Sequence, residues 1–279
     1  MKLNRTLSLA IAPAVGLFAS LWLSGAIAAD TPSVDEIVHR TNQTAYYQGK
    51  DGRAEVLMSI TDKQGRERER RFTILRRDVS NSDDIAGEAY NGDQQFYVFF
   101  QRPADVNKMA FLVWKHLDRD DDRWLYLPAL DLVKRIAASD QRTSFVGSDY
   151  FYEDVSGRDI NADSHELVET TDNYYVLKHT PKDPDSVEFS HYVMYVHKTS
   201  FIPVQTEYFD KNGEKYRVAT ALGVDNIDGY PTVTKASMED LRSGSKTLTT
   251  YSSVTYNVDL PEEIFSERYL RRAPVKYLR

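Results

Sequence analysis

Cysteine is absent from the 279-residue chain, which excludes disulfides, thiol nucleophiles and a lipidated cysteine behind a leader. An excess of positive charge is absent too: 35 Lys and Arg stand against 42 Asp and Glu, a formal charge of −7. Affinity for nucleic acid rests on neutralising phosphates with Lys and Arg, so no nucleic-acid partner is expected. The acidic balance also opposes broad adhesion to anionic lipid surfaces, although a local patch can act against the average. There is no Pro/Ser-rich linker, internal repeat or low-complexity tract, and the length suits one large domain or two small ones. Nor is there a Gly-x-Ser-x-Gly nucleophile elbow. Gly244-Ser-Lys246-Thr lacks the adjacent Gly-Lys of a phosphate-binding loop.

Only one long apolar run is present, Leu7 to Leu23. Lys2 and Arg5 precede it and Ala26-Ile27-Ala28 follows it, which is the layout of a secretion signal with an A-x-A cleavage site. The expectation is a leader over 1–28 and a single exported domain over 29–279 that is not an integral membrane protein. Its formal charge is two units more negative once Lys2 and Arg5 leave. An uncleaved membrane anchor is the alternative, and Pro13, Gly16, Ser20, Ser24 and Gly25 weaken it by diluting the run. Without disulfides, stability must come from a core alone.

After the leader, Ser33-Val-Asp-Glu36 reads as a capping box. It opens a helix with Val34, Ile37, Val38, Thr41 and Ala45 on one side, ending near Gly49. From Arg53 the period changes to two: Val56, Met58 and Ile60, then Phe72 and Ile74, form a long hairpin turning at Asp62-Lys-Gln-Gly65. Further strands are predicted at 95–101, 109–115, 124–127, 132–136, 165–170, 174–180, 189–197, 204–209, 214–223, 232–241 and 246–257. Short turns such as Asp210-Lys-Asn-Gly213 and Asp228-Gly229 link them. The fold class is mainly β: an antiparallel meander with too many strands to stay flat. Phe96-Tyr-Val-Phe-Phe100 and Phe111-Leu-Val-Trp114 are apolar on both faces, so helices, loops or a ligand should cover both sides there.

Chemistry-bearing residues are sparse. Asp149, Glu153 and Asp154 could form a general acid and base pair, or could fix a loop, with Ser148 or Asp149 capping a short helix; the second reading is preferred. Asp118-Arg-Asp120-Asp-Asp122 has Arg123 and Ala129 where a calcium loop needs Gly and Glu, and reads as a polar hairpin tip. His191 and His197 lie roughly 20 Å apart along one strand. His165 and His179 meet across a hairpin only if it closes around Asp172, and no third ligand is evident. No metal and no cofactor are expected. The basic run Arg66-Glu-Arg68-Glu-Arg70-Arg71 reads first as a solvated strand face; the alternative is a docking surface in which Arg66, Arg68 and Arg70 meet phosphates or acidic loops.

The segment from Trp124-Leu-Tyr-Leu-Pro128 through Val133-Lys-Arg-Ile136 to Phe145-Val-Gly147-Ser-Asp149 and Tyr152-Glu-Asp154 resembles the signature of the LolA-like outer-membrane lipoprotein-sorting proteins, in the larger branch found beside membrane exporters. Beyond that block the likeness, from the helix near Ser33 to Leu260-Pro-Glu-Glu-Ile-Phe265, is one of strand pattern. The resemblance implies an incomplete β-barrel whose concave face is capped by a few short helices, enclosing a cavity for acyl chains, in a periplasmic protein that is not an enzyme. The helix and the 137–155 loop are then candidate lid elements. With 18 Tyr and 12 Phe in the chain, most aromatics should be ordinary sheet packing. The residues chosen for a lipid-binding wall are Val56, Met58, Phe72, Ile74, Phe96, Val98, Phe100, Phe111, Val113, Trp124 and Tyr126. The leading expectation is a carrier that binds a lipid, a lipoprotein acyl group or a similar apolar molecule and hands it between membranes, with an inner-membrane exporter or an outer-membrane acceptor as candidate partner. A partner subunit of such an exporter, without cargo, is the alternative. A hydrolase using Asp149 to Asp154 is a third reading.

Overall fold

In a computed structural model, residues 31–79 and 92–279 are described; the expected leader lies outside them. Pro32–Arg279 form one compact unit. Helix α1 (Val34–Tyr46) starts where the sequence places it, with the Ser33 hydroxyl accepting from the Glu36 amide at 3.1 Å. Glu36 does not complete the capping box; it faces Arg40 one turn on, at 3.4 Å. Ile37 and Val38 on the apolar stripe of α1 are buried and pack with Tyr175, Leu177, Val196 and Phe201.

The strands are β1 (Asp51–Thr61), β2 (Glu67–Asp78), β3 (Gln94–Arg102), β4 (Ala110–Lys115), β5 (Asp122–Leu127), β6 (Leu132–Ile136), β7 (Asp163–Thr170), β8 (Tyr174–Pro181), β9 (Phe189–His197), β10 (Pro203–Asp210), β11 (Lys215–Ile227), β12 (Tyr230–Asp240) and β13 (Ser245–Tyr256). They form one antiparallel sheet in the order β6-β5-β4-β3-β2-β1-β13-β12-β11-β10-β9-β8-β7. Two meanders therefore run outward from a central β1–β13 seam, in which Val56 faces Tyr251. The sheet is not closed, as expected of an incomplete barrel. Residues 137–162, with the short helix α2 (Tyr152–Ser156), carry the chain from one free edge, β6, to the other, β7.

The two apolar faces of β3 and β4 have separate covers. On the inner face, Phe145 from the crossover sits among Phe72, Phe100, Phe111 and Tyr152, with ring centroids 5.4–6.3 Å away. On the outer face, Leu75, Tyr97, Leu112 and Trp124 pack beneath Leu260, Ile264, Phe265, Leu270 and Leu278. Edge polar groups pin that C-terminal strap: Trp114 Nε1 donates to the Phe265 carbonyl at 2.6 Å, and the Tyr97 hydroxyl donates to the Tyr269 carbonyl at 2.8 Å. A strand that buries apolar residues on both sides reads as a continuous run, whereas a one-sided strand alternates.

Candidate functional site

Between the inner face of the sheet, α1 and the crossover lies a cavity of about 480 Å³, within the roughly 300–1,000 Å³ range of small-ligand pockets. One wall is apolar, and strand register explains it. Val56 pairs with Phe72, Ala54 with Ile74, and Ile74 with Val98; directly opposed residues share a face. With Met58 and Phe96 these side chains line the cavity.

Of the residues chosen from sequence, Val56, Met58, Phe72, Ile74, Phe96 and Val98 stand in this wall. Phe100, Phe111 and Val113 belong to the same inner cluster but do not line the cavity, because the crossover rings of Phe145 and Tyr152 pack over this end of the face. Trp124 and Tyr126 belong to the opposite face: Leu125, between them, points inward, and both aromatic rings pack under the C-terminal strap. They are not part of the wall. Of the basic run, Arg66 is exposed and paired with Asp62 at 2.7 Å, and Arg68 is exposed and reaches the Gly147 carbonyl at 3.4 Å. Arg70, by contrast, is only 7% exposed and pairs with Asp105 at 3.3 Å, so it is not a free docking cation.

The other wall is polar and was missed from sequence. A single row of register-paired residues, His165, His179, Tyr192, Tyr208 and Arg217, crosses β7 to β11; the first four line the cavity and Arg217 stands just outside it. His165 Nδ1 and His179 Nδ1 are 2.7 Å apart, and His165 Nε2 lies 2.8 Å from the Ile160 carbonyl. A carbonyl only accepts, so His165 carries its proton on Nε2 and receives one from His179 Nδ1–H. Burial, reinforced by His165, pushes His179 down to about 3, which keeps its imidazole neutral. The ring stacks on Tyr192 at 4.4 Å, and the Tyr192 hydroxyl donates to Asp163 at 2.9 Å.

Three arginines, Arg217 buried and Arg142 and Arg158 partly so, tie the crossover to this wall. Arg142 bonds Glu188 at 2.6 and 2.7 Å and also holds Glu153. Arg158 forks onto Asp163 at 2.9 Å and reaches Glu153 at 3.3 Å, and Arg217 holds Asp154. Burial alone would raise the Glu188 carboxyl, but the Arg142 fork outweighs it and brings the group to about 2. Asp149 accepts from the Thr247 and Ser245 hydroxyls, the former at 2.6 Å. Asp154 also accepts from the Phe151 amide at 2.6 Å, capping α2; neither Ser148 nor Asp149 is the cap. All three carboxylates are thus engaged in holding the loop, which for Glu153 and Asp154 is the reading preferred from sequence. Gly157 lets the loop pass: its φ is +77°, and a Cβ there would meet the Tyr46 ring at 2.5 Å. No group of three His, Asp or Glu that could hold a metal occurs among the described residues.

A family model described as "Uncharacterized protein" matches residues 92–272. No curated protein matches significantly. Among solved structures, a DUF1329 family protein from Desulfovibrio piger is 30% identical with a TM-score of 0.76, covering 86% of this chain and 100% of that one. A domain assigned to outer membrane lipoprotein sorting from Vibrio parahaemolyticus is 25% identical, TM-score 0.74, over 85% and 97%. A LolA superfamily protein from Nitrosomonas europaea, 22% identical with a TM-score of 0.64 over 86% and 100%, shares the fold. The chain belongs to the DUF1329 family, a LolA-like family whose incomplete barrel it adopts.

Proposed function

We propose that this protein is a periplasmic carrier, exported with cleavage after Ala28, that holds a lipid, a lipoprotein acyl group or a similar apolar molecule in its cavity and passes it between membranes. It uses no cofactor and makes no covalent bond. The observation that carries this reading is the unfilled space of about 480 Å³ beside the Val56, Met58, Phe72, Ile74, Phe96 and Val98 wall. Each methylene buried there gains about 0.8 kcal/mol, so an enclosed acyl chain offsets its departure from a bilayer. Release requires α1 or the crossover to move, or a membrane partner to compete; the exposed Arg66 and Arg68 at the β1–β2 turn are the candidate contacts for an exporter or an outer-membrane acceptor. A structure named for outer membrane lipoprotein sorting supports the reading at the level of fold, and a LolA superfamily protein shares that fold. No helix among the described residues is long and apolar enough to cross a membrane. A cargo-free exporter subunit would be expected to fill its cavity with its own side chains, which favours the carrier.

Mass spectrometry of an organic extract from natively purified protein tests this, with an unrelated periplasmic protein as control. Near-equimolar apolar cargo is the expected result. Its absence, with no binding of added lipid, would leave the subunit reading.

A further inference from the structure

We propose that the cavity selects an uncharged lipid bearing a hydrogen-bonding oxygen, such as an acyl ester or a long-chain alcohol, and disfavours an ionised head. The inference rests on the carrier reading and specifies its cargo.

The hydroxyls of Tyr46, Tyr208 and Tyr251 carry it. All three rings line the cavity from α1, β10 and β13. None of the three hydroxyls has a hydrogen-bond partner among the described residues. They are near enough to interact electrostatically, Tyr46 with both of the others. Register fixes two of them: Tyr208 stands in the polar row beside Tyr192, and Tyr251 lies opposite Val56 at the start of the apolar wall. A ligand along that wall therefore brings its end group to the phenols. Burial raises Tyr208 and Tyr251 to about 12, and Tyr46 further, so all three remain protonated donors. An enclosed hydroxyl without a partner is unfavourable, and an ester or alcohol oxygen supplies the missing acceptor.

The ions lining the same cavity decide the charge of the head. Arg53 is paired with Glu55 at 2.8 Å, Arg76 with Asp78 at 2.9 Å, and Arg158 with Asp163 at 2.9 Å. Glu153 and Asp154 also face the space. An anionic head would thus enter beside two carboxylates and find every lining arginine already engaged. Enclosing an unpaired anion is strongly unfavourable.

The test is displacement of the apolar dye N-phenyl-1-naphthylamine from the exported protein at pH 8.5 by two ligands of equal chain length, methyl oleate and oleate. Methyl oleate should displace the dye at a concentration about tenfold below that of oleate, the scale of one to two net hydrogen bonds. The combined Tyr46→Phe, Tyr208→Phe and Tyr251→Phe variant should bind the dye within about twofold of the wild type and lose about tenfold for methyl oleate. Equal or better displacement by oleate overturns the proposal, as does a variant that keeps full affinity for methyl oleate; dye binding would leave the carrier reading standing in both cases. A wild-type protein that binds neither dye nor lipid overturns the carrier reading and this inference together.

Discussion

Arg76 Nη1 donates to the Tyr46 carbonyl oxygen at 2.7 Å, so a strand side chain closes the C-terminal end of the helix that covers the cavity. Its other amino group donates to the Gln48 and Gly49 carbonyls at 2.8 and 2.6 Å. Helix ends leave carbonyls without intrahelical partners, and here one buried guanidinium serves the end of α1 and the turn beyond it.

Replacing Arg76 by Met should therefore lower stability by about 3 kcal/mol at pH 8, because part-buried carbonyls lose donors and Asp78 loses its cation. Burial already pushes the Asp78 carboxyl up to about 6 with Arg76 beside it. Without Arg76 it should take up a proton still more readily, so the loss should shrink at pH 5. Urea unfolding midpoints at the two pH values measure this; an equal loss at both would mean that Asp78 titrates in the variant as it does in the wild type.

The inner-face phenylalanines should divide by position. Phe100→Ala and Phe111→Ala open a void in the packed region under Phe145 and should cost about 3–5 kcal/mol each. Phe96→Ala enlarges a space that is already there, so it should cost less and should alter the dye titration most. Paired urea and dye measurements on each variant check this, and an identical cost at all three positions would place Phe96 in the ordinary core.

His179 should impose a pH slope on stability. Its folded pKa, about 3, lies below the unfolded value of about 6.5, so the unfolded chain binds the extra proton between those values. The contribution is complete above pH 6.5 and falls by about 1.4 kcal/mol per pH unit as the pH drops through the window toward 3. His179→Phe keeps a ring against Tyr192 and removes the titration. Its urea midpoint should change less than that of the wild type between pH 7 and 5; superimposable slopes would refute the assignment.

The strands and the start of α1 were legible because hydrophobic period and capping residues act locally. Which face of β5 points inward was not: Trp124, Leu125 and Tyr126 are all apolar, so alternation gave no sign, and a shift of one residue exchanges the faces. The C-terminal strap carries no clean period, so its role as outer cover was hidden. The polar wall needed register across five strands, and bulges at Leu167/Glu169 and Tyr208/Phe209 alter that register without marking the sequence. Inward alternation in the 204–209 and 246–257 strands is the signal that could have singled out Tyr208 and Tyr251.

The central seam has a consequence for how the chain reaches this state. β1 lies near the start of the sheet-forming chain and β13 near its end, yet they are neighbours in the middle of the sheet, with Ile60 opposite Thr247 and Val56 opposite Tyr251. Each meander can zip locally through hairpins, but the seam must await almost the whole chain and bear the entropy of closing a very long loop. Until then β1 presents an open edge, an opportunity for mispairing or for capture by a chaperone. The join that unites the two halves of the barrel is thus expected to be the slow step of its folding.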